Sequence, residues 1–276
     1  MQTKGLAMAA KLNHLAIVTE NVMLSGAFYQ ELFGLRSFSG EASHSIGIRA
    51  YAGHDGYVGI NLNPRKAGRA ARFDHFGAEV DDVDATFKRL EAHSVEWVKR
   101  PSNRPFASYT THDPDGNVFD LSQKDAENRA DVYAQDAKPL SKRHVDHFAL
   151  RTMRPKVVAE FYRDVLGLEL RADGDSTYNL SDGHVMFVVM PWHITDFAGT
   201  GIASAAFDHI GFAVESLDGF KADVANLVEG NHRLAPFPFE AGAEGRIRAE
   251  LNRRTCPHCQ YLFADVDGVF LSATER

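Results

Sequence analysis

At 276 residues the chain exceeds the usual size of one domain, so two halves of roughly 100–150 residues are expected. Hydrophobic residues at 44% and charged residues at 24% are those of a soluble globular protein, and a formal charge of -7 argues against a nucleic-acid surface. No apolar run approaches a membrane span, residues 1–10 lack the apolar core of a signal peptide, and two cysteines make no disulfide framework, so a reducing cytoplasm is the expected compartment.

After a short lead expected to be disordered, residues 11–19 read as a β-strand in which Asn13 and His14 are the polar exceptions. Val22 to Phe33 reads as an amphipathic helix, with Leu24, Phe28 and Leu32 at helical spacing and Gly34 where a left-handed C-cap wants glycine. Strands over 46–51 and 57–62 complete a β-α-β-β-β unit. A second unit begins at Arg72. It has a strand holding His75, a helix from about Val83 to His93, a strand over 108–111 and the turn-forming Asp113-Pro114-Asp115-Gly116-Asn117. Its closing strand, Val118 to Ser122, sets Asp120 between apolar neighbours.

The stretch from Lys124 to Arg143 is polar and aperiodic and reads as a linker. A third unit then opens with His147, continues with a helix from Pro155 to Leu166 that ends at Gly167, and adds strands over 178–180 and 184–190. The fourth opens at Phe207-Asp208-His209, with a helix near 217–227. A long insertion follows, from Asn231 to about Pro257, of a size at which loops often serve as lids or mouths.

The units repeat at one offset. His14 to His147 is 133 positions, His75 to His209 is 134, and Phe28-Tyr29 returns as Phe161-Tyr162 after 133. Four strands that start alike, each with an imidazole at the same point, indicate four copies of one unit.

These residues carry a resemblance. The four histidine strands, the FYxxxxGL helix ends at Phe28 and Phe161, and the DPDG turn at Asp113 with its weaker copy at Asp265 resemble the vicinal oxygen chelate superfamily of glyoxalases, bleomycin-resistance proteins and type I extradiol dioxygenases. The resemblance implies an α+β fold of four βαβββ modules in two paired-module domains, 11–124 and 143–276, joined by a linker at 125–142. A four-module chain of this length most resembles the ring-cleaving dioxygenases.

The resemblance further implies a divalent metal, Fe(II) or Mn(II), held by ligands from the first and last strands of a module. His14, His75 and Asp120 fall on such positions in the N-terminal half; two imidazoles and one carboxylate suit a metal that must also bind substrate and O2. In the C-terminal half the alternative set is His147, His209 and Glu275. Counting from Gly268 as from Gly116, however, Ser272 and not an acid aligns with Asp120, and Glu275 reaches the place only if the strand slips or bulges. Asn13, Asp74, Asp146 and Asp208 each precede a histidine and are candidates to support it, but strand alternation points them to the opposite face, where a salt bridge or turn is the default role. Cys256-Pro257-His258-Cys259 reads as a lone zinc or redox motif, which is weak evidence by itself. The resemblance gives His258, with Tyr261, an acid/base role. Phe76, Tyr109 and Phe119 are candidate apolar walls for a small ligand.

The expected function is metal-dependent extradiol cleavage of a catechol-like aromatic, with that vicinal-oxygen substrate and O2 as partners and a homo-oligomer as the assembly; neither nucleic acid nor membrane is a partner. The alternatives are a metal-free small-molecule binding protein of the bleomycin-resistance type and a non-oxidative lyase or isomerase.

Overall fold

A computed structural model describes residues 9–37, 51–101, 107–124, 141–173 and 176–276. The expected strand at 46–51 and the expected linker fall largely outside them, as does the lead over residues 1–8. The first module comprises β1 (Lys11–Thr19), α1 (Val22–Phe33), β2 (Arg36–Ser37), β3 (Tyr51–His54) and β4 (Gly59–Pro64). The second comprises β5 (Arg72–Val80), α2 (Val83–Ala92), β6 (Trp97–Lys99), β7 (Tyr109–His112) and β8 (Val118–Gln123). The third has β9 (His144–Thr152), α3 (Pro155–Leu166), β10 (Glu169–Asp173), β11 (Thr177–Ser181) and β12 (Met186–Pro191), followed by a short helix α4 (Ile194–Thr200). The fourth has β13 (Phe207–Val214), α5 (Leu217–Gly230), β14 (Phe237–Pro238), α6 (Gly242–Thr255), β15 (Tyr261–Ala264) and β16 (Phe270–Glu275).

Modules one and two share one eight-stranded sheet, in the order β2-β3-β4-β1-β5-β8-β7-β6, and modules three and four repeat that order in a second. In each sheet the opening strands of its two modules, β1 with β5 and β9 with β13, pair antiparallel at the centre. Each of these four also runs parallel to the last strand of its own module. First and last strands therefore lie side by side, which brings the histidine strands together with Asp120 in one sheet and Ser272 in the other.

Strand alternation sends one set of side chains to a helix-covered face and the other to a cup-like face. The helix-covered faces of both sheets merge into one apolar core. Phe33 of α1 stacks on Phe212 of β13 with ring centroids 3.8 Å apart, and Phe76 of β5 lies 5.1 Å from Phe148 of β9. Helix α1 packs on α5 and α2 on α3, so the helices pair across the halves while the strands pair within them.

The repeated sequence motifs fasten this crossing. Tyr29 donates from its hydroxyl to Asp265 Oδ2 at 3.0 Å, and Tyr162 donates to Asp113 Oδ2 at 3.2 Å. The tyrosine of each FY pair thus reaches the aspartate of a turn in the opposite half. Each aspartate also accepts backbone N–H bonds from its own turn.

The insertion departs from expectation. Read as a loop, it folds into a 3-10 turn over His232–Leu234, the short strand β14 and the fourteen-residue helix α6. Its sequence is dominated by arginine, glutamate and alanine, which are good helix formers.

Candidate metal centres

On the N-terminal cup face, β1 supplies His14, β5 supplies His75 and β8 supplies Asp120. The register aligns them across neighbouring strands: His14 pairs with Gly77, and Gly77 with Asp120. The two imidazoles approach one carboxylate oxygen, His75 Nε2 at 3.3 Å and His14 Nε2 at 3.7 Å from Asp120 Oδ2. Thr110 donates to Asp120 Oδ1 at 2.6 Å, and the Arg100 guanidinium pairs with Oδ2. Burial opposes ionisation of Asp120, but the His14, His75 and Arg100 partners hold its carboxyl well below the usual range. Burial likewise opposes charge on His75, yet Asp120 and Asp74 raise it to about 9. The site is thus a carboxylate facing two imidazoles, an arrangement that a divalent cation would satisfy.

The residue before each histidine has an unexpected place. Asn13 Oδ1 lies 2.9 Å from His14 Nδ1, Asp74 Oδ2 3.1 Å from His75 Nδ1, Asp146 Oδ2 2.9 Å from His147 Nδ1, and Asp208 Oδ1 2.6 Å from His209 Nδ1. These side chains do not simply leave for the other face, because the ladder is irregular at all four: the pairing skips Asn13, Asp74, Asp146 and Asp208. A bulge re-aims the side chain beside it. An acceptor on Nδ1 holds the proton there, so that Nε2 is the nitrogen that gives up its proton and turns a lone pair to the cup when a metal binds, as metal-binding histidines require.

Glycine opens the space. A Cβ at Gly77 would stand 1.9 Å from His14 Cε1, and one at Gly211 2.0 Å from His147 Cε1. Each ring lies against a backbone that only glycine leaves clear.

In the C-terminal cup, His147 Nε2 and His209 Nε2 are 3.2 Å apart. Gly211 pairs with His147 and with Ser272, so Ser272 occupies the register of Asp120, and its Oγ is 3.3 Å from His147 Nε2. The remaining donors come from the insertion. Cys256 Sγ lies 3.8 and 3.7 Å from the Nε2 atoms of His147 and His209, and Cys259 Sγ lies 3.7 and 3.1 Å from the same two atoms. Among the described residues, these four and the His14–His75–Asp120 set are the groups whose ligand atoms cluster tightly enough for a metal.

Glu275 does not join that cluster. Two residues along a strand share a face, so Ser272 and Thr274 look into the cup and Glu275 looks away; its carboxylate accepts from Leu217 N at the start of α5 at 2.8 Å. Tyr261 is also on the helix-covered face, stacked on Phe263 at 5.4 Å and close to Phe220. His258 stays near the cup, its ring centroid 5.9 Å from that of His147 and its Nε2 3.3 Å from Asn179 Nδ2. Both belong to the C-terminal half, His258 in the turn before β15 and Tyr261 on β15 itself, whereas the carboxylate set is in the other half. Phe76, Phe119 and Tyr109 are core residues and wall no cup: Phe76 and Phe119 stack at 5.4 Å, and Tyr109 packs on Phe87. The cysteines were the donors that sequence reasoning underweighted. Their signal was the absence of an acid at Ser272 together with an insertion carrying the chain's two cysteines.

Paired βαβββ modules in two sheets, each with histidines converging from its central strands, define a duplicated scaffold with a cluster of candidate metal ligands in each copy. The chain belongs to the Glyoxalase/Bleomycin resistance protein/Dioxygenase superfamily, whose family model matches residues 11–121 and 144–272. It is 23% identical over 188 residues to a manganese-dependent 2,3-dihydroxybiphenyl 1,2-dioxygenase of Geobacillus genomosp. 3, a match that spans 60% of this chain and 56% of that relative. Solved structures share the fold. The Mn(II)-bound glyoxalase from Novosphingobium aromaticivorans superposes with a TM-score of 0.63 at 16% identity, covering 98% of this chain and 82% of that one. The homoprotocatechuate 2,3-dioxygenase from Arthrobacter globiformis gives 0.61 at 14% identity, covering 99% and 82%.

Proposed function

We propose that the protein is a metal-dependent oxygenase that opens the ring of a catechol-like vicinal diol, and that the reaction takes place in the N-terminal cup. One observation carries the reading: two imidazoles with fixed tautomers and one buried carboxylate converge there. Fe(II) or Mn(II) bound by this set would acidify the diol and template it beside O2. The dihydroxybiphenyl dioxygenase relative supports both the substrate class and the metal.

The chain's own groups divide the remaining work. Asn13 and Asp74 hold the imidazoles in their donor tautomer. Thr110 fixes one carboxylate oxygen of Asp120. Arg100 sets a permanent positive charge beside that carboxylate, suited to drawing in an ionised phenolic oxygen. The acid/base role expected of His258 and Tyr261 has no place in this reading, since both lie in the other half.

The test is anaerobic loading with Fe(II) or Mn(II) followed by mixing with 2,3-dihydroxybiphenyl or catechol and O2. The expected result is one O2 consumed per diol, with a coloured ring-opened product. A loaded protein that transforms a vicinal-oxygen substrate without taking up O2 is instead a lyase or isomerase. One that binds a small ligand equally well after chelation is a sequestering protein.

A further inference from the structure

We infer that His147, His209, Cys256 and Cys259 hold a structural zinc ion that clamps the inserted helix α6 onto the C-terminal sheet. The inference is independent of the ring-cleavage reading, which concerns the other half. A tetrahedral Zn(II), with bonds of about 2.0–2.1 Å to nitrogen and about 2.3 Å to sulfur, sets its ligand atoms about 3.3–3.8 Å apart. The nitrogen–nitrogen separation is 3.2 Å and the four nitrogen–sulfur separations run from 3.1 to 3.8 Å. The donors therefore already stand near the corners of such a tetrahedron.

Their surroundings favour a closed site over a catalytic one. His147, His209 and Cys256 are 0% exposed and Cys259 is 5% exposed. Val188, Met190, Phe239, Ala249 and Leu262 pack around the sulfurs as a second, smaller apolar core. Four protein ligands in a dry setting leave no position for a substrate, and two thiolates with two imidazoles select zinc over the hard cations that suit carboxylates. The other chemistry of a Cys-x-x-Cys pair, thiol–disulfide exchange, needs a thiol that a partner can reach, and these two are covered.

The scaffold brings the cysteines here through contacts of its own. Arg151, fully buried on β9, donates from Nε to Asp208 Oδ2 at 2.6 Å and from a terminal nitrogen to Asn252 of α6. Thr177 donates to Thr255 O at 3.1 Å, directly before Cys256. Thr274 of β16 bonds the carbonyl of His258, between the cysteines. Asp208 thereby links the His209 imidazole to the arginine that holds α6. The metal would complete a set of contacts that all bind one segment to one sheet.

Metal analysis, zinc K-edge absorption and cobalt substitution of the full-length chain, purified under reducing conditions, test this. One zinc per chain is expected, with a shell of two sulfur and two nitrogen scatterers, and Co(II) in its place should give intense tetrahedral bands with thiolate charge transfer. Cys256→Ser and Cys259→Ser should each weaken that charge transfer and expose α6 to protease, whereas Asp120→Ala should keep both zinc and spectrum. A wild-type shell of nitrogen and oxygen alone overturns the inference, and that readout needs no variant to fold. So does a native protein whose two cysteines form a disulfide, or a metal-free chain in which both thiols react and α6 resists protease as before.

Discussion

The two halves are the same framework carrying different ligand sets. Both bring two imidazoles together, the first of them against a glycine and each braced at Nδ1 by the preceding side chain. They part at one register position, Asp120 in β8 against Ser272 in β16. Where the acid remains, the donors are hard and the neighbours polar: Thr110 and Arg100. Where it is gone, two thiols arrive on an insertion and apolar side chains fill the cup. Ligand hardness and closure change together, as the proposed division into a reacting half and a rigid half requires.

Exchanging the distinguishing pair gives the largest expected effect. Asp120→Ala should lower kcat/KM for diol cleavage by more than about 100-fold, beyond the 10–100-fold of a lost supporting contact, with the N-terminal metal lost on dialysis. Ser272→Ala should leave the rate within about twofold. Steady-state kinetics with metal analysis reads both, and the reverse pattern would move the reaction to the C-terminal cup.

Next come the glycines. Gly77→Ala and Gly211→Ala should each cost about 1–3 kcal/mol or more, because the added methyl lands inside an imidazole and the ring must leave its place. Urea denaturation gives the cost. The site readouts should separate the halves, with Gly77→Ala weakening Fe(II) or Mn(II) binding and Gly211→Ala weakening the cysteine site.

Smaller still, Tyr29→Phe and Tyr162→Phe should cost about 1–2 kcal/mol each, as each leaves a buried aspartate one donor short. Unequal costs would show that the two crossings do not bear equal load.

An effect of the same size as the tyrosines' is in pH. Burial lifts the Asp265 carboxyl to about 6, and it pushes Asp113 the same way. The folded state then holds more protons than the unfolded state between about pH 4 and 6, so these groups cost stability as pH rises through that window. Asp265→Asn should remove about 1–2 kcal/mol of that dependence, measured as the difference in unfolding free energy between pH 4.5 and 7.

Much of this architecture was legible in the sequence because duplication repeats its signals. The offset shared by His14, His75 and Phe28 with their copies, and the glycines ending α1 and α3, depend on local chemistry. The convergence of His14, His75 and Asp120 followed from strands that sit side by side once modules one and two share a sheet. Two features were less accessible. Alternation assigned Asp74 and its equivalents to the wrong role because a bulge is a property of two paired strands, not of one. The cysteines went underweighted because a helix inside an insertion can approach the sheet from many directions, and only tertiary anchors such as Arg151 with Asn252 select one. The aromatic side chains failed for a simpler reason. Pocket walls and core fillers have the same composition, and only the strand's parity separates Phe76 from His75.

The crossed docking of helices has a consequence for how the molecule can be divided. Cutting the chain anywhere between residues 124 and 141 would separate two sequences but not two stable bodies, since each fragment would leave aromatic rings such as Phe33 and Phe148 bare to solvent. The fragments should instead find each other and reassemble without a covalent join. Expressed alone, either one should aggregate, even though it carries every ligand of its own cup.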